Sequence, residues 1–142
     1  MTIAAILRTK GGEVVSITAE QTVGDAVALL AERRVGAVPV MAGDAVVGIF
    51  SERDVIHAIA AHGSAAMTRS VGDTMTAPPI TVAPGEAVIG ALSLMTRRRI
   101  RHLPVVDQGR VVGFVSIGDL VKYRIDKIEA DAEAMRSYIQ SA

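Results

Sequence analysis

A serine and an aspartate stand three residues apart at two places in this chain, Ser51 with Asp54 and Ser116 with Asp119. Each pair follows a short apolar run, Gly-Ile-Phe or Gly-Phe-Val. A carboxylate there can accept hydrogen bonds from the two hydroxyls of a ribose, and the exposed N–H groups of a helix start attract an anion. Arg53 lies beside the first aspartate and could hold a phosphate. These residue types together suit a nucleotide better than a metal or a protein strand.

The same spacing also has a purely structural interpretation. A serine at a helix N-cap accepts a hydrogen bond from a backbone N–H, and an acidic residue three positions later reaches back to the N-cap. A carboxylate in the first turn also interacts favourably with the helix dipole. Capping explains each pair alone, but it explains neither the occurrence of the pair twice nor Arg53. Both interpretations therefore stay open.

The two pairs occupy equivalent places in an internal repeat. When the sequence is shifted by 65 residues, residues 33–54 overlay residues 98–119 with nine identities in 22 positions and no gap. Residues 16–30 overlay residues 81–95 in the same register. Agreement at one fixed offset over this length indicates two copies of one structural unit.

The sequence pattern of each copy predicts the same order of strands and helices. Short β-branched runs predict a first strand, and apolar residues at helical spacing in residues 22–33 and 86–98 predict a helix. Two strands around a polar turn then form a hairpin, and a second helix begins at the serine of each Ser-Asp pair. A unit of about 60 residues buries little apolar surface alone, so we expect two copies packed sheet to sheet around a pseudo-two-fold axis. The predicted fold class is α/β (α+β), with strand-helix-strand-strand-helix units at residues 1–65 and 66–125 and a helical extension at residues 126–142.

The last helix is predicted to start near Ser116 and to run to Ile139. Apolar residues recur along it at spacings of 4, 3, 4, 3 and 4, which is the heptad stripe of a coiled coil. Because the far end extends beyond the repeat, we expect it to contact another subunit; the alternative is a helix folded back on its own unit. The stripe consists of Val121, Ile125, Ile128, Ala132, Met135 and Ile139.

Composition argues against several classes of function. Fifteen basic and fifteen acidic residues cancel, and the basic run at residues 97–101 has no aromatic platform, so nucleic-acid binding is not expected. The absence of cysteine excludes disulfides and thiol catalysis, and the three histidines lack metal-site spacing. No P-loop, dinucleotide fingerprint or nucleophile elbow supports an enzyme. No apolar run approaches the roughly 18 residues of a membrane span, and the N-terminus is unlike a secretory signal, so we expect a cytoplasmic protein.

The doubled unit, with glycine, two apolar residues and Ser-x-x-Asp after a Pro-Val strand, resembles a tandem pair of CBS domains, often called a Bateman module. The resemblance covers residues 3–124, and residues 71–88 are especially similar to the start of a CBS unit. It implies that adenosine-containing ligands such as AMP, ADP, ATP, NAD or S-adenosylmethionine bind in clefts between the two units. It also implies that Asp54 and Asp119 bind the ribose, with Ser51 and Ser116 beside them.

The resemblance further implies which residues complete the two sites. Arg53, Arg101 and His102 are the candidates for binding phosphate. Gly118 occupies the position that Arg53 has in the first copy, so the two sites should differ. The second site would draw on Arg99, Arg101 and His102 instead, and either both sites are occupied or one is silent. The implied base-binding residues are Ile17, Thr18 and Thr22 for one site and Thr81, Val82 and Ala87 for the other, with Gly36, Ala37, Arg101 and His102 lining the clefts.

We therefore predict a non-catalytic regulatory module that binds an adenine nucleotide and works as a homodimer. Its expected partners are the nucleotide, a second copy and a protein effector, with no metal, catalytic cofactor, nucleic acid or membrane. The rival hypothesis is a structural homodimerisation protein whose clefts are vestigial.

Overall fold

The computed structural model describes residues 1–141, so Ala142, the last residue of the predicted extension, lies outside the described residues. The α/β fold with two repeated units and a long C-terminal helix is confirmed. The elements in chain order are α1 (Ile3–Lys10), β1 (Ile17–Thr18), α2 (Val23–Arg33), β2 (Ala37–Ala42), β3 (Ala45–Ser51), α3 (Glu52–His62), α4 (Val71–Thr74), α5 (Val88–Arg98), β4 (His102–Asp107), β5 (Arg110–Ser116) and α6 (Ile117–Ser141), with a 3-10 helix at Gly63–Thr68.

Each copy contains the predicted hairpin. β2 pairs antiparallel with β3, and β4 pairs antiparallel with β5. The turns contain Gly43 at φ +63° and Gly109 at φ +77°, backbone conformations that glycine adopts without steric cost. In the first copy β1 adds a parallel strand beside β2. In the second copy a parallel bridge between Val82 and Val105 takes the place of that strand.

The leading helix of each copy packs in the core of the other copy. Ile3 and Ile6 of α1 are buried in a cluster that contains Leu120 from the second copy. Val71 of α4 is buried in a cluster that contains Phe50 from the first copy. A boundary at residue 65 therefore separates the sequence repeats but not the two cores, and the copies are interlocked.

Two equivalent glycines allow the leading helices to approach the hairpins. A Cβ atom added to Gly48 would lie 2.5 Å from the Sδ atom of Met75 and 3.0 Å from the carbonyl oxygen of Thr76. A Cβ atom added to Gly113 would lie 2.5 Å from the Cδ2 atom of Leu7. This close approach gives a physical reason for glycine at both equivalent positions of the repeat.

The last helix, α6, is attached to the rest of the molecule by its first turns. Leu120 is fully buried in the second core and Tyr123 packs against that core. Every residue from 125 to 141 is exposed. The predicted long helix is therefore present, and it is not folded back on its own unit. None of the helices formed by residues 1–141 is long and apolar enough to cross a membrane.

Candidate functional site

A cavity of about 150 Å³ lies where the two copies meet. The first copy supplies the start of β2 and the junction of β3 with α3. The second copy supplies the segment after α4 and the turn between α5 and β4. The residues that line the cavity are Gly36, Ala37, Ile49, Ser51, Glu52, Arg53, Thr76, Pro78, Pro79, Ile80, Arg99, Ile100, Arg101 and His102.

The cavity has a cationic part. Arg53 lies in the first turn of α3, whereas Arg99 ends α5 in a left-handed backbone conformation at φ 54° and Arg101 directly precedes β4. Glu52 brings a single carboxylate, and its Oε1 atom lies 3.0 Å from the position that a Cβ atom on Gly36 would take. Three guanidinium groups against one carboxylate make the lining suited to an anion.

The cavity also has an apolar part, formed by Pro78, Pro79 and Ile80 together with two isoleucines from other elements. This segment is held in place by Thr76, whose N–H donates to the carbonyl of Ile49 while the N–H of Ile49 donates to the carbonyl of Thr76, both at 2.9 Å. The segment thereby extends the edge of β3. Rigid apolar side chains and cations in the lining of one cavity fit a ligand with a flat apolar group and an anionic group.

His102 is the first residue of β4 in the hairpin of the second copy, and it lines the cavity. Its ring stacks on Phe114, with ring centroids 5.8 Å apart and an interplanar angle of 13°. Burial, and then the neighbouring charges of Arg101 and Lys10, lower the pKa of His102 below its ordinary value of 6.5. The imidazole is therefore neutral at pH 7, and in that form it offers one hydrogen-bond donor and one acceptor.

The first Ser-Asp pair is a helix cap, and its carboxylate also binds Thr76 in the segment after α4. One carboxylate oxygen of Asp54 accepts hydrogen bonds from the backbone N–H of Ser51 at 2.9 Å and from its hydroxyl at 3.1 Å. The other oxygen accepts a hydrogen bond from the Thr76 hydroxyl at 2.8 Å. Asp54 is 9% exposed, and it lies behind the cavity wall rather than on it. The structural interpretation of the spacing thus holds in the first copy.

The second Ser-Asp pair is also a cap, but a lysine binds its carboxylate. The Ser116 N–H donates to Asp119 at 2.8 Å, and the Asp119 N–H donates to the Ser116 hydroxyl at 3.1 Å. The Lys10 ammonium donates to the same aspartate at 2.6 Å and to the carbonyl of Phe114 at 2.7 Å. Burial raises the pKa of Asp119, but the hydrogen bonds from Lys10 and Ser116 outweigh this effect and hold the pKa below its ordinary value of 3.8.

Thr76 in the first cap and Lys10 in the second donate equivalent hydrogen bonds. Ile49 and Phe114 are equivalent residues of the repeat, and their carbonyls accept hydrogen bonds from Thr76 and Lys10, respectively. The two capping aspartates accept from the same two residues. Asp54 thus accepts a hydrogen bond from a neutral hydroxyl, whereas Asp119 accepts one from a cation. The two capping aspartates therefore have different surroundings, whereas a difference between the two sites in ligand binding stays a prediction.

Only some of the predicted site residues line the cavity. Gly36, Ala37, Ser51, Arg53, Arg101 and His102 line the cavity. Ile17 and Val82 are buried in the first and second core, and Thr22 caps α2 by accepting from the N–H of Asp25. Thr18, Thr81 and Ala87 are exposed residues that do not line it, and neither do Ser116 and Asp119. The roles expected of these residues toward a ligand stay predictions.

Sequence reasoning missed several residues of the cavity. The prolines at 78 and 79, with Thr76 and Ile80, stand just before the run that was expected to bind the base. Two consecutive prolines favour a rigid extended backbone, which was the available signal. Glu52, Ile49 and Ile100 carried no comparable signal. Within residues 1–141, no cluster of three or more potential metal ligands is found.

Comparison with known proteins identifies the family. A protein-family model described as "CBS domain" matches this chain twice, at residues 4–61 and 71–126. The CBS domain-containing protein CBSX3, mitochondrial, of Arabidopsis thaliana is 37% identical over 148 residues, covering 98% of this chain and 72% of that protein. The solved structure of the CBS-domain containing protein ATU1752 from Agrobacterium tumefaciens is 36% identical, with a TM-score of 0.83, and covers 87% of this chain and 92% of that one.

A further solved structure is that of the CBS domain protein PAE2072 from Pyrobaculum aerophilum complexed with AMP. It is 28% identical to this chain, with a TM-score of 0.75, and it covers 84% of this chain and 89% of that one. These matches confirm the resemblance that the repeated motif indicated. The chain belongs to the CBS domain family, in which it is a tandem pair of CBS units.

Proposed function

We propose that the cavity binds an adenine nucleotide and that the chain is a non-catalytic regulatory module. The observation that carries the proposal is the composition of the lining, which combines the cations Arg53, Arg99 and Arg101 with apolar residues that include two prolines. Arginine guanidinium groups bind phosphate with paired, charge-assisted hydrogen bonds. A planar base suits the apolar part. AMP is the first candidate, because a relative of this fold was solved with AMP; ADP, ATP, NAD and S-adenosylmethionine are the alternatives.

The ribose is proposed to bind at Asp54. An ionised carboxylate offers about four acceptor positions, and Asp54 uses three of them within the chain. A ribose hydroxyl can take the remaining position or replace the Thr76 hydroxyl, which then turns toward the ligand. Because Asp54 lies behind the wall formed by Ser51 and Thr76, this step requires a small movement of those side chains.

The second cleft is proposed to be closed in this conformation. Its carboxylate, Asp119, is neutralised by Lys10, which a ribose would have to displace. A hydroxyl is a weaker partner for a carboxylate than an ammonium group is. The first cleft is therefore the primary site, and the base-binding roles expected of Ile17, Thr18 and Thr22 would apply only after Lys10 has moved away.

Regulation is proposed to work by linkage. A nucleotide that contacts Arg53 of the first unit and Arg101 of the second binds most tightly to one relative arrangement of the units. A protein effector that prefers that arrangement would then respond to the nucleotide concentration. We propose that the module is a homodimer and that it acts in the cytoplasm, with the units at residues 1–65 and 66–125 working as one body.

Thermal unfolding with and without nucleotide tests the proposal. A ligand that binds only the folded state at 100 times its dissociation constant adds about 2.7 kcal/mol of stability, which raises the melting temperature by several degrees. Arg101→Met should remove most of the shift caused by AMP. Arg97→Met, a change at an exposed arginine of α5 outside the cavity lining, should keep it. An equal loss of shift in both variants would contradict the assignment of the site.

The rival function is a dimerisation protein without a ligand, and the exposed stripe on α6 favours it as the second candidate. No shift with AMP, ADP, ATP, NAD or S-adenosylmethionine, together with a stable dimer, would favour this rival. Co-purifying small molecules, identified by mass spectrometry of the native protein, separate the two functions independently of the choice of added ligand.

A further inference from the structure

We propose that α6 forms a parallel, in-register, two-stranded coiled coil with a second copy of this chain. The inference rests on the homodimer proposed above, and it adds which surface forms the dimer and how the two chains are oriented. The large apolar side chains of the stripe, from Val121 to Ile139, are between 42% and 65% exposed. Such a row of exposed apolar side chains on one helix is typical of an interface.

The stripe faces away from the molecule to which α6 belongs. Leu120 and Tyr123 pack against the second core, and they lie on a different side of the helix from Val121 and Ile125. Beyond Ile125 every side chain of the helix is exposed. From Ile125 onward, the stripe is therefore open to a second helix.

Charges beside the stripe select a second copy in parallel orientation. In a parallel coiled coil, a residue that flanks the stripe on one side meets the residue about five positions further on in the partner helix. Arg124 then meets Glu129 of the partner subunit, and Asp131 meets Arg136 of the partner subunit. The two-fold axis of the dimer makes each of these two contacts occur twice. All four pairs join opposite charges. Asp131 and Arg136 pair within their own helix with Lys127 and Glu133, and exposed pairs of this kind are weak enough to exchange.

Antiparallel arrangements lose either charge pairing or apolar contact. When the whole stripe overlaps, Lys122 lies opposite the partner's Arg136, and Glu129 lies opposite the partner's Glu129. The helices can slide by one heptad in either direction until opposite charges meet. In one direction Val121 packs on the partner's Ala132 and Met135 is left outside the paired stretch; in the other, Ile128 packs on the partner's Ile139 and Val121 is left outside. The parallel arrangement is the one that combines full apolar contact with opposite charges.

Single thiols test the orientation, because the chain has no cysteine. Met135→Cys, on the stripe, should form a disulfide-linked dimer under mild oxidation at micromolar concentration. Ser137→Cys, on the outer side of the same helix, is the matched control and should stay monomeric in a denaturing gel. Ile125→Cys, also on the stripe, should cross-link in the same way. In one shifted antiparallel arrangement the two residues at position 135, and in the other the two residues at position 125, are about 17 positions, or roughly 25 Å, apart, which no disulfide can span. Cross-linking between mixed Val121→Cys and Ala132→Cys chains, without cross-linking at position 135, would overturn the proposal.

A charge exchange tests the pairing. Glu129→Lys should weaken the dimer about tenfold in sedimentation experiments, because it faces Arg124 of the partner subunit with a like charge. The double change Arg124→Glu with Glu129→Lys should restore the dimer in the parallel arrangement only. A particle that is monomeric at every concentration, a trimer, or a double variant no tighter than the single one would each refute the proposal. The AMP-induced thermal shift is measured on the same variants and should be retained, because the changes lie outside the cavity lining, so loss of the dimer and loss of nucleotide binding are distinguished.

Discussion

Lys10→Met should lower the stability of the protein at neutral pH, and the loss should become smaller in acid. The Lys10 ammonium lies 2.6 Å from the Asp119 carboxylate and 2.7 Å from the carbonyl of Phe114. Methionine keeps the apolar stem and the helix preference of the side chain but removes the charge and the donors. Arg8→Met, at an exposed cation of the same helix, is the matched control.

The magnitude follows from the exposure of the pair. A hydrogen bond to a charged group contributes about 1.5–3 kcal/mol when it is shielded, and an exposed pair contributes about 0–1 kcal/mol. The side chains of Lys10 and Asp119 are 38% and 28% exposed, so the pair stands between these limits. We expect a loss of about 1–2 kcal/mol, which corresponds to a melting temperature lower by about 3–6 °C for a chain of this length.

The pH dependence identifies the cause of the loss. The pKa of Asp119 is below its ordinary value in the folded protein, so the pair stabilises the fold above pH 4 and this contribution is lost as the pH falls through the lower, folded-state pKa. The difference in melting temperature between wild type and Lys10→Met should be constant from pH 8 to pH 5 and should shrink below pH 4. A difference that persists unchanged at pH 3, or a variant as stable as wild type at pH 7, would refute the ion pair as its source.

Three further predictions concern other residues of the site and the hairpins. His102→Gln should flatten the fall in melting temperature between pH 7 and pH 5, because a lowered pKa means that the unfolded chain takes up the proton first and acid then favours unfolding; an unchanged slope would contradict this. Gly48→Ala should cost about 1–3 kcal/mol in urea unfolding because its Cβ meets Met75, whereas Gly90→Ala, in an open position of α5, should add up to about 1 kcal/mol. Thr76→Val should cost about 1–3 kcal/mol in the same assay, since the Oδ1 atom of buried Asp54 loses its hydrogen-bond donor while the Ser51 bonds to the other carboxylate oxygen remain, and a neutral effect would contradict this.

The fold was predictable because the repeat constrains it twice. Each helix and hairpin of the first copy has a counterpart 65 residues later, so an error in one copy would have conflicted with the other. The positions of Ser51 and Ser116 at the ends of β3 and β5 follow from the same register. The strand expected before α5 was the exception, because only Val82 makes a bridge there among the described residues.

The site was predictable only where local sequence determines it. Arg53, Arg101 and His102 lie at element ends that the pattern located, and they do line the cavity. Lys10 could not be predicted as the partner of Asp119, because the two residues are 109 positions apart and meet only when α1 packs in the second core. Contacts that depend on such an exchange of helices leave no periodic signal in the sequence.

The exchange of helices would also connect the proposed nucleotide binding to the rest of the molecule. Val71 lies in the first core and Val82 lies in the second, so the cavity wall between them, including Pro78 and Pro79, spans both. A ligand that orders this wall biases how the two cores sit against each other. In the second copy, the ion pair from Lys10 ties α1 to the first turn of α6, the helix on which the dimer is proposed. Binding and dimerisation therefore act on connected elements, and their coupling can be no larger than the difference in nucleotide affinity between the two arrangements.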